Sequence, residues 1–426
     1  MSVTRAPGPK FYSVLGYSNF RKLWIGQVIS NVGDNFTMMA QLVLVNQITG
    51  STLALAGMAI ALTLPRLLFS LLAGVFVDRL DRRQLMIVAD LLRMLLVLPM
   101  ALVHRPDQVW IFYLCGFATS AVSTLFDPAK SALLPQLVPE QDLTRTNAFS
   151  QATMMLALLV GPLLAGVILE ATAPSIAFVI DAVSFGISAA FIARIAVPVL
   201  ARPRVPAAGP GAAVRTVLAE ATEGVRALFG IREVRAVALV FAVAMLGLGA
   251  INVLAVAYLT RSFGVGPSGL GLLQTAQAIG MILGSIVVGQ WLAGARPAAV
   301  ISGGMAIVGF CLVGLAFAPS YLVVLALGLV IGLAIAPVEA VASTLQQTAV
   351  PDAQRGRVGA GMNTIIVSAN LLSMSLAGVA GAVFGVAQVF VGGGLFVVAA
   401  AGVAAVLLNA VPASRPTPVP SESGAA

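Results

Sequence analysis

The amino-acid sequence predicts an all-α membrane protein of twelve transmembrane helices, arranged as two six-helix pseudo-repeat bundles with both termini cytosolic. Three observations carry that expectation: an excess of apolar residues, its division into bilayer-length runs, and chemical matches between the two halves at one constant offset. Hydrophobic residues make up 59% of the 426 positions and charged residues only 9%, and the mean hydropathy is +1.01. Soluble chains carry roughly half apolar and a quarter charged residues, so a water-exposed globular fold is excluded.

A helix needs about twenty apolar residues to cross a bilayer. Such runs fall at about 23–48, 53–77, 84–103, 109–132, 144–169, 175–197, 236–259, 268–293, 298–317, 321–344, 358–384 and 388–409. The expected organisation is a cytosolic segment 1–22, a first bundle 23–197, a linker 198–235, a second bundle 236–409 and a disordered tail 410–426. Residues 1–22 lack an apolar core before a cleavage site and do not read as a signal peptide.

Orientation follows from the basic residues. All but four of the 24 Lys and Arg lie in the termini or in the connections between helices 2–3, 4–5, 6–7, 8–9 and 10–11. The exceptions are Arg105 and Arg261 in the opposite loops, and Arg66 and Arg93 within helices. Basic residues accumulate on the cytoplasmic side, which places both termini there. The net charge of +8 then belongs to the lipid-facing rim, and nucleic-acid binding is not expected. Cys115 and Cys311 sit in separate apolar runs and His104 is the single histidine, so no disulfide framework, metal site or cofactor is expected.

Taken in order, the chain begins with Asn19-Phe20-Arg21-Lys22-Leu23-Trp24, a charged and aromatic stretch suited to anchoring helix 1 at the interface. Helix 1 carries Asn31, Asp34 and Asn35 in mid-span. Asp34 lies about 16 Å from the cytosolic end, Arg66 of helix 2 at a similar depth, and Arg93 of helix 3 about 14 Å in, with Asp90 one turn away on the same face. A charge at the bilayer centre costs about 2.5–3.5 kcal/mol on insertion scales, so such groups face the protein interior or a water cavity. Two readings stay open. Asp90–Arg93 and Asp34–Arg66 neutralise each other for packing, or Asp34 is a protonatable group that changes partner as a carrier switches. Asp181, in the outer half of helix 6, equally suits packing or a cavity.

Between helices 2 and 3 stands Gly74-Val75-Phe76-Val77-Asp78-Arg79-Leu80-Asp81-Arg82-Arg83. It resembles the helix 2–3 loop of the major facilitator superfamily, with Asp81 where that family more often has glycine. The resemblance implies the major facilitator fold and a cytosolic gate. In that gate Gly74 lets helices approach, and Asp78 faces the positive end of helix 11, which begins near Gly356-Arg357. Arg79, Arg82 and Arg83 complete this candidate gate.

A shift of 212 residues superposes Asp127 on Glu339, Val138-Pro139-Glu140 on Val350-Pro351-Asp352, and Arg145 on Arg357. Repeated halves are how such carriers are built. Asp127 and Glu339 are expected to join cytosolic salt bridges with Arg145, Arg357 or the arginines at 79–83. Helix 5 contains Ala157-Leu158-Leu159-Val160-Gly161-Pro162-Leu163-Leu164-Ala165-Gly166, which resembles the antiporter signature with alanine at two glycine positions. Gly161, Pro162 and Gly166 there suit close packing and a hinge. The helix 4 arginine of drug–proton antiporters has no counterpart in Phe117-Ala118-Thr119-Ser120-Ala121-Val122-Ser123, leaving Asp34 as the candidate for proton coupling. In the central connection, apolar residues from Val214 to Phe229 recur at helical spacing and predict an amphipathic interfacial helix.

Residues 19–27, 30–34 and 134–139 resemble the branch of the superfamily that holds siderophore exporters and macrolide efflux proteins. That resemblance implies a monomeric inner-membrane carrier of bacteria, exporting a small amphiphilic solute against protons. A lipid flippase, a nutrient uptake carrier and a receptor on the same fold share most of these features. An enzyme is not expected, because no nucleophile–base or metal set is apparent.

Overall fold

The computed structural model describes residues 11–196, 222–291 and 294–409. The lead-in at 1–10, most of the linker (197–221) and the tail at 410–426 lie outside the described residues. At Gly74, Asp78 and Arg79 only the backbone is described.

The long helices are α1 (Ser18–Thr49), α2 (Thr52–Arg79), α3 (Arg82–Val97), α4 (Trp110–Leu133), α5 (Leu143–Ala171), α6 (Ser175–Ala193), α7 (Arg232–Phe263), α8 (Pro267–Trp291), α9 (Pro297–Ala316), α10 (Tyr321–Ala349), α11 (Arg355–Val383) and α12 (Val386–Leu408). Among the described residues, eleven segments are long and apolar enough to cross a membrane. The 32-residue α1 is not one of them, because Asn31, Asp34, Asn35, Gln41 and Asn46 interrupt its apolar length. Residues 222–230, at the end of the predicted amphipathic stretch, are helical.

The connection between α2 and α3 is shorter than the runs ending at 77 and starting at 84 predict. Helix α2 continues through Arg79, leaving Leu80 and Asp81 as the whole connection. Asp81 is the N-cap of α3, its Oδ1 accepting from the Gln84 N–H at 2.9 Å. A carboxylate there satisfies one of the orphan donors of the first turn and complements the positive helix end, a role that glycine would not fill.

The chain divides into two compact units. The first comprises Met1–Glu220, Gly249–Thr275 and Asn370–Val389; the second comprises Ala221–Leu248, Ala276–Ala369 and Phe390–Ala426. Within the first, α1 packs on α6, α5 and α2, α2 on α4, and α3 on both α4 and α6. One end of this unit is basic. Phe20, Leu23, Met86, Phe126, Leu133 and Ile192 form its apolar core there, and polar side chains tie the helix ends over that core. Arg82 donates to the Ala132 carbonyl at 2.8 Å, Arg83 to Ile192 at 3.2 Å and also to Ala193, and Lys22 to Arg194 at 2.8 Å. Asn19 exchanges two hydrogen bonds with the backbone of Ala196, at 2.8 and 3.2 Å. The last carbonyls of a helix have no partner within it, and cations there also complement its negative end.

At the far end of the same unit, α1 closes at Gly50, which takes φ 57° and donates its N–H to Asn46. The Arg261 guanidinium, from the last turn of α7, donates to the Gly50 carbonyl. The Thr52 hydroxyl donates to Gly378 of α11 at 2.9 Å. These bonds tie the segments Gly249–Thr275 and Asn370–Val389 to the rest of the first unit.

Two junctions share one construction. The three-residue 3-10 helices Glu140–Asp142 and Asp352–Gln354 each follow a Val-Pro pair and run directly into a 29-residue helix, α5 or α11. In the second unit α9 packs on α10. A Cβ at Gly280 of α8 would stand 2.0 Å from the Leu329 carbonyl of α10, so glycine alone admits that backbone contact.

Candidate functional site: a buried ionic cluster

The polar heart of the first unit lies where α1, α3 and α6 meet. Asp90 and Arg93, three residues apart on α3, form an ion pair buried at 0% and 4% exposure. The Arg93 guanidinium lies over the rings of Phe126 and Phe185, 4.6 and 4.5 Å from their centroids. Two ring faces and one carboxylate thus replace the water the cation has lost.

Asp181 of α6 is buried at 1% exposure. It can face α1 because position 33 is glycine: a Cβ there would stand 2.2 Å from Ser184 Oγ and 2.4 Å from Asp181 Oδ1. The Ser184 hydroxyl lies 2.8 Å from the Asp181 carbonyl oxygen and 3.2 Å from Oδ1, and donates between them. One residue along α1, half-buried Asp34 has Arg93, Asp127 and Arg66 as its charged neighbours. Asp34 and Arg93 in turn act on Asp181, and Asp34 on Asp90. Arg66 is exposed on α2. Asn31 is half-buried, and its carbonyl accepts from the Asn35 side chain at 2.7 Å.

The cluster is incompletely hydrogen-bonded. Ser188 lies near Asp90 and Thr37 near Asp181, yet Ser188 Oγ, Thr37 Oγ1, Asp90 Oδ2, Asp181 Oδ2 and Arg93 Nε lack a partner in bonding geometry among the described residues. Buried polar atoms are nearly always paired. Several unpaired ones around an ion pair leave acceptors open for a proton or for a new partner.

The family of transmembrane secretion effectors, of the major facilitator type, matches residues 11–421. The chain belongs to that family. It is therefore a transporter rather than an enzyme, carried as a multi-pass protein in the bacterial inner membrane. It is 29% identical to the multidrug efflux pump Tap of Mycolicibacterium fortuitum over 367 residues, covering 82% of this chain and 86% of the pump. It is 27% identical to macrolide efflux protein A of Streptococcus pyogenes over 272 residues, covering 63% of this chain and 66% of that protein. In fold it is similar to the nucleoside transporter NupG, with a TM-score of 0.74 at 13% identity, covering 91% of this chain and 99% of that one. A bacterial homologue of the iron transporter ferroportin in an inward-facing state gives a TM-score of 0.70 at 15% identity, covering 92% and 98%.

In this transporter the helix 5 residues all sit at close approaches inside the first unit. A Cβ at Gly161 would stand 2.9 Å from the Asn35 side chain, and one at Gly166 would stand 2.6 Å from the Pro267 carbonyl. The Pro162 carbonyl faces Gly271 of α8, where a Cβ would come within 2.2 Å. Thr275 of α8 donates to the Leu159 carbonyl at 2.9 Å. Glu170, at the end of α5, accepts from the Ser268 N–H at 3.1 Å and so sets a carboxylate on the first turn of α8. Sequence reading had not singled out Glu170 or Arg261 for this end. A signal for Arg261 was present, as one of only two basic residues in the loops on that side.

The candidate gate residues pair differently from expectation. Asp127 pairs with Lys130 at 3.0 Å, one turn away on the same exposed face. Arg145 pairs with Asp142 at 2.5 Å, while the other Asp142 oxygen accepts from the Tyr17 hydroxyl at 2.5 Å. That hydrogen bond pushes the Tyr17 phenol above its ordinary value. Arg357 pairs with Glu223 at 2.8 Å. Arg82 and Arg83 hold helix ends, and Glu339 lines a cavity in the second unit. The Asp127–Lys130 and Asp142–Arg145 pairs lie three residues apart and need little ordering, whereas Arg357 and Glu223 meet across 134 residues. The side chains of Asp78 and Arg79 lie outside the described residues.

Proposed function

We propose that this transporter exports a small amphiphilic solute, of drug, macrolide or siderophore type, by proton-coupled alternating access. Helix α1 acts as the twelfth span in this reading, and the basic end of the first unit faces the cytosol together with both termini. The matching turn–helix junctions before α5 and α11 support a duplicated six-helix ancestor. Similarity to efflux pumps supports the outward direction. The cytosolic mouth closes by re-pairing Asp127, Arg145, Glu339 and Arg357 with one another or with the arginines at 79–83, while Gly74 and Asp78 meet the start of α11.

One observation supports the coupling: a single buried guanidinium pairs with Asp90, and the carboxyl groups of Asp34 and Asp181 lie within its electrostatic reach. One cation balances one carboxylate. The others are balanced by protons or by Arg66, so proton occupancy decides which pairs form and hence which conformation is favoured. Asp34 is the half-buried member and the one with access to both arginines. In proteoliposomes with an imposed pH gradient, Asp34→Asn is expected to abolish gradient-driven macrolide efflux while leaving the elution profile and melting temperature near wild type. Full gradient-driven efflux by this variant would remove Asp34 from the mechanism.

A further inference from the structure

Helices α1 and α6 meet along a seam of hydroxyl groups. Two glycines of α1 press against it: a Cβ at Gly26 would stand 3.3 Å from Ser188 Oγ, and one at Gly33 would stand 2.2 Å from Ser184 Oγ. Ser30 lies between those glycines on the same face of α1. It is buried at 3% exposure, and Ser184 and Ser188 at 4% and 0%. A carboxyl group flanks each end of the seam. Asp181 stands one turn before Ser184, whose hydroxyl donates to it, and Asp90 of α3 lies beside Ser188. From Asp181 to Ser188 the row covers about 10 Å along α6, running towards the end held by Lys22 and Arg83. A serine or threonine within a helix often donates to the carbonyl one turn back, as Ser285, Ser302 and Thr344 do here. The Ser188 hydroxyl has no partner in bonding geometry among the described residues, and Asp90 Oδ2 beside it is open as well. A buried polar group left so costs about 1–3 kcal/mol, and packing alone would favour alanine at this position.

We propose that this seam carries protons between Asp181 and Asp90, with Ser184, Ser30 and Ser188 as the relaying hydroxyls. The inference rests on the proton-coupled reading and gives the buried cluster its route of supply. A hydroxyl both donates and accepts, so each serine takes up one proton, hands on its own and stays neutral. The Asp181 carboxyl loses a proton, Asp90 Oδ2 receives one, and rotation of the hydroxyls resets the row. The atoms that crowd Gly26 and Gly33 fill the seam, so the hydroxyls and not a file of waters make the connection. With Asp90 neutral, the Arg93 guanidinium loses the anion it pairs with, and Asp34 and Asp181 compete for it. The charged groups at the row are Asp34 on α1, Asp90 and Arg93 on α3 and Asp181 on α6. Arg66 on α2 and Asp127 on α4 act on it through Asp34.

The test follows protonation of the buried carboxyl groups by infrared spectroscopy after a pH jump, on the full-length protein in proteoliposomes. Asp181→Asn and Asp90→Asn assign the two carboxyl bands, and Asp90→Glu assigns the second where Asp90→Asn fails to fold. Ser184→Ala and Ser188→Ala are each expected to slow proton arrival at Asp90 at least about tenfold, a barrier change of about 1.4 kcal/mol. Ser188→Ala should leave arrival at Asp181 unchanged. It removes an unpaired buried hydroxyl, so its melting temperature should match or exceed that of wild type, and a packing role alone would move neither rate. Wild-type rates in both alanine variants, or no titrating carboxyl band in wild type, overturn the proposal. Gradient-driven macrolide efflux is scored separately on the same preparations. Rates indifferent to the serines in a protein that still effluxes overturn this path alone. Serine-dependent rates in a protein that shows no efflux overturn the export reading and leave the path standing.

Discussion

Replacing Arg93 with methionine is expected to destabilise the transporter by about 3–5 kcal/mol, the range for removing one partner of a buried ion pair. The variant leaves Asp90 at 0% exposure without its cation and strips Asp34 and Asp181 of the same neighbour. It also empties the space between the rings of Phe126 and Phe185. A thermal melt in detergent, followed by the loss of the monodisperse elution peak, measures the effect. The double variant Asp90→Ala/Arg93→Met is the decisive companion. Apolar groups in place of a whole buried pair are often neutral, so the double variant is expected to melt well above the single one. Arg93→Lys should fall between wild type and Arg93→Met, keeping the charge and losing the planar group that stacks on two rings. A single variant that melts with wild type would show that the cluster does not hold the fold.

The cluster also shows how far residue types and spacing reach. The Asp90–Arg93 pair was legible because residues three apart share a helix face, and the structure pairs them. The meeting of Asp181 with α1 was not legible. Of the 42 glycines, the one that matters is Gly33, and which residue it faces depends on how α1 and α6 rotate against each other. Apolar runs located the long helices within about six residues, but their ends moved both ways, inward most at Val97 and Ala193 and outward most at Ser18 and Ala349. Helix α1 begins at Ser18 and α2 continues to Arg79, since polar and charged residues at a helix end are compatible with helical backbone and hydropathy alone does not mark them. Arg82 and Arg83 read as gate residues from the resemblance of the 74–83 stretch to the superfamily loop. In the structure they close the ends of α4 and α6, since helix C-termini leave carbonyls unpaired and sequence spacing does not reveal which ones lie near.

The grouping of segments has the same physical origin. Hydropathy marks α7, α8 and α11 as spans of the second half, yet parts of each belong with the first unit. Besides close backbone packing, polar contacts across long sequence separations tie them there: Arg261 on the end of α1, Thr52 on Gly378, and Glu170 on the start of α8. Arg261 and Glu170 each place a charge on a backbone group at a helix end, and Thr52 places a hydroxyl on a carbonyl within α11. The acceptor or donor in each case is main chain, so the side chains that could be read from sequence tell only half of the bond.

The second large effect concerns the backbone approach of α5 to α8. Gly271→Val is expected to keep α5 and α8 from closing at the far end of the first unit and to reduce export at least about tenfold, a barrier change of about 1.4 kcal/mol. A Cβ at 271 would stand 2.2 Å from the Pro162 carbonyl oxygen, 2.9 Å from its carbon and 3.1 Å from Leu163 Cα. All three are backbone atoms, so no side chain can move aside. The helices must separate, at about 1–3 kcal/mol for overpacking, and the state with this end sealed loses population by the same amount. Ser268→Cys in a background with Cys115 and Cys311 replaced by alanine reports the opening through labelling with a membrane-impermeant maleimide. Labelling should accelerate when Gly271→Val is added, and accelerate less with Glu170→Gln, which removes a charge from the start of α8 without touching the backbone contact. Unchanged labelling and unchanged export in Gly271→Val would show that the α5–α8 contact does not take part in the transport cycle.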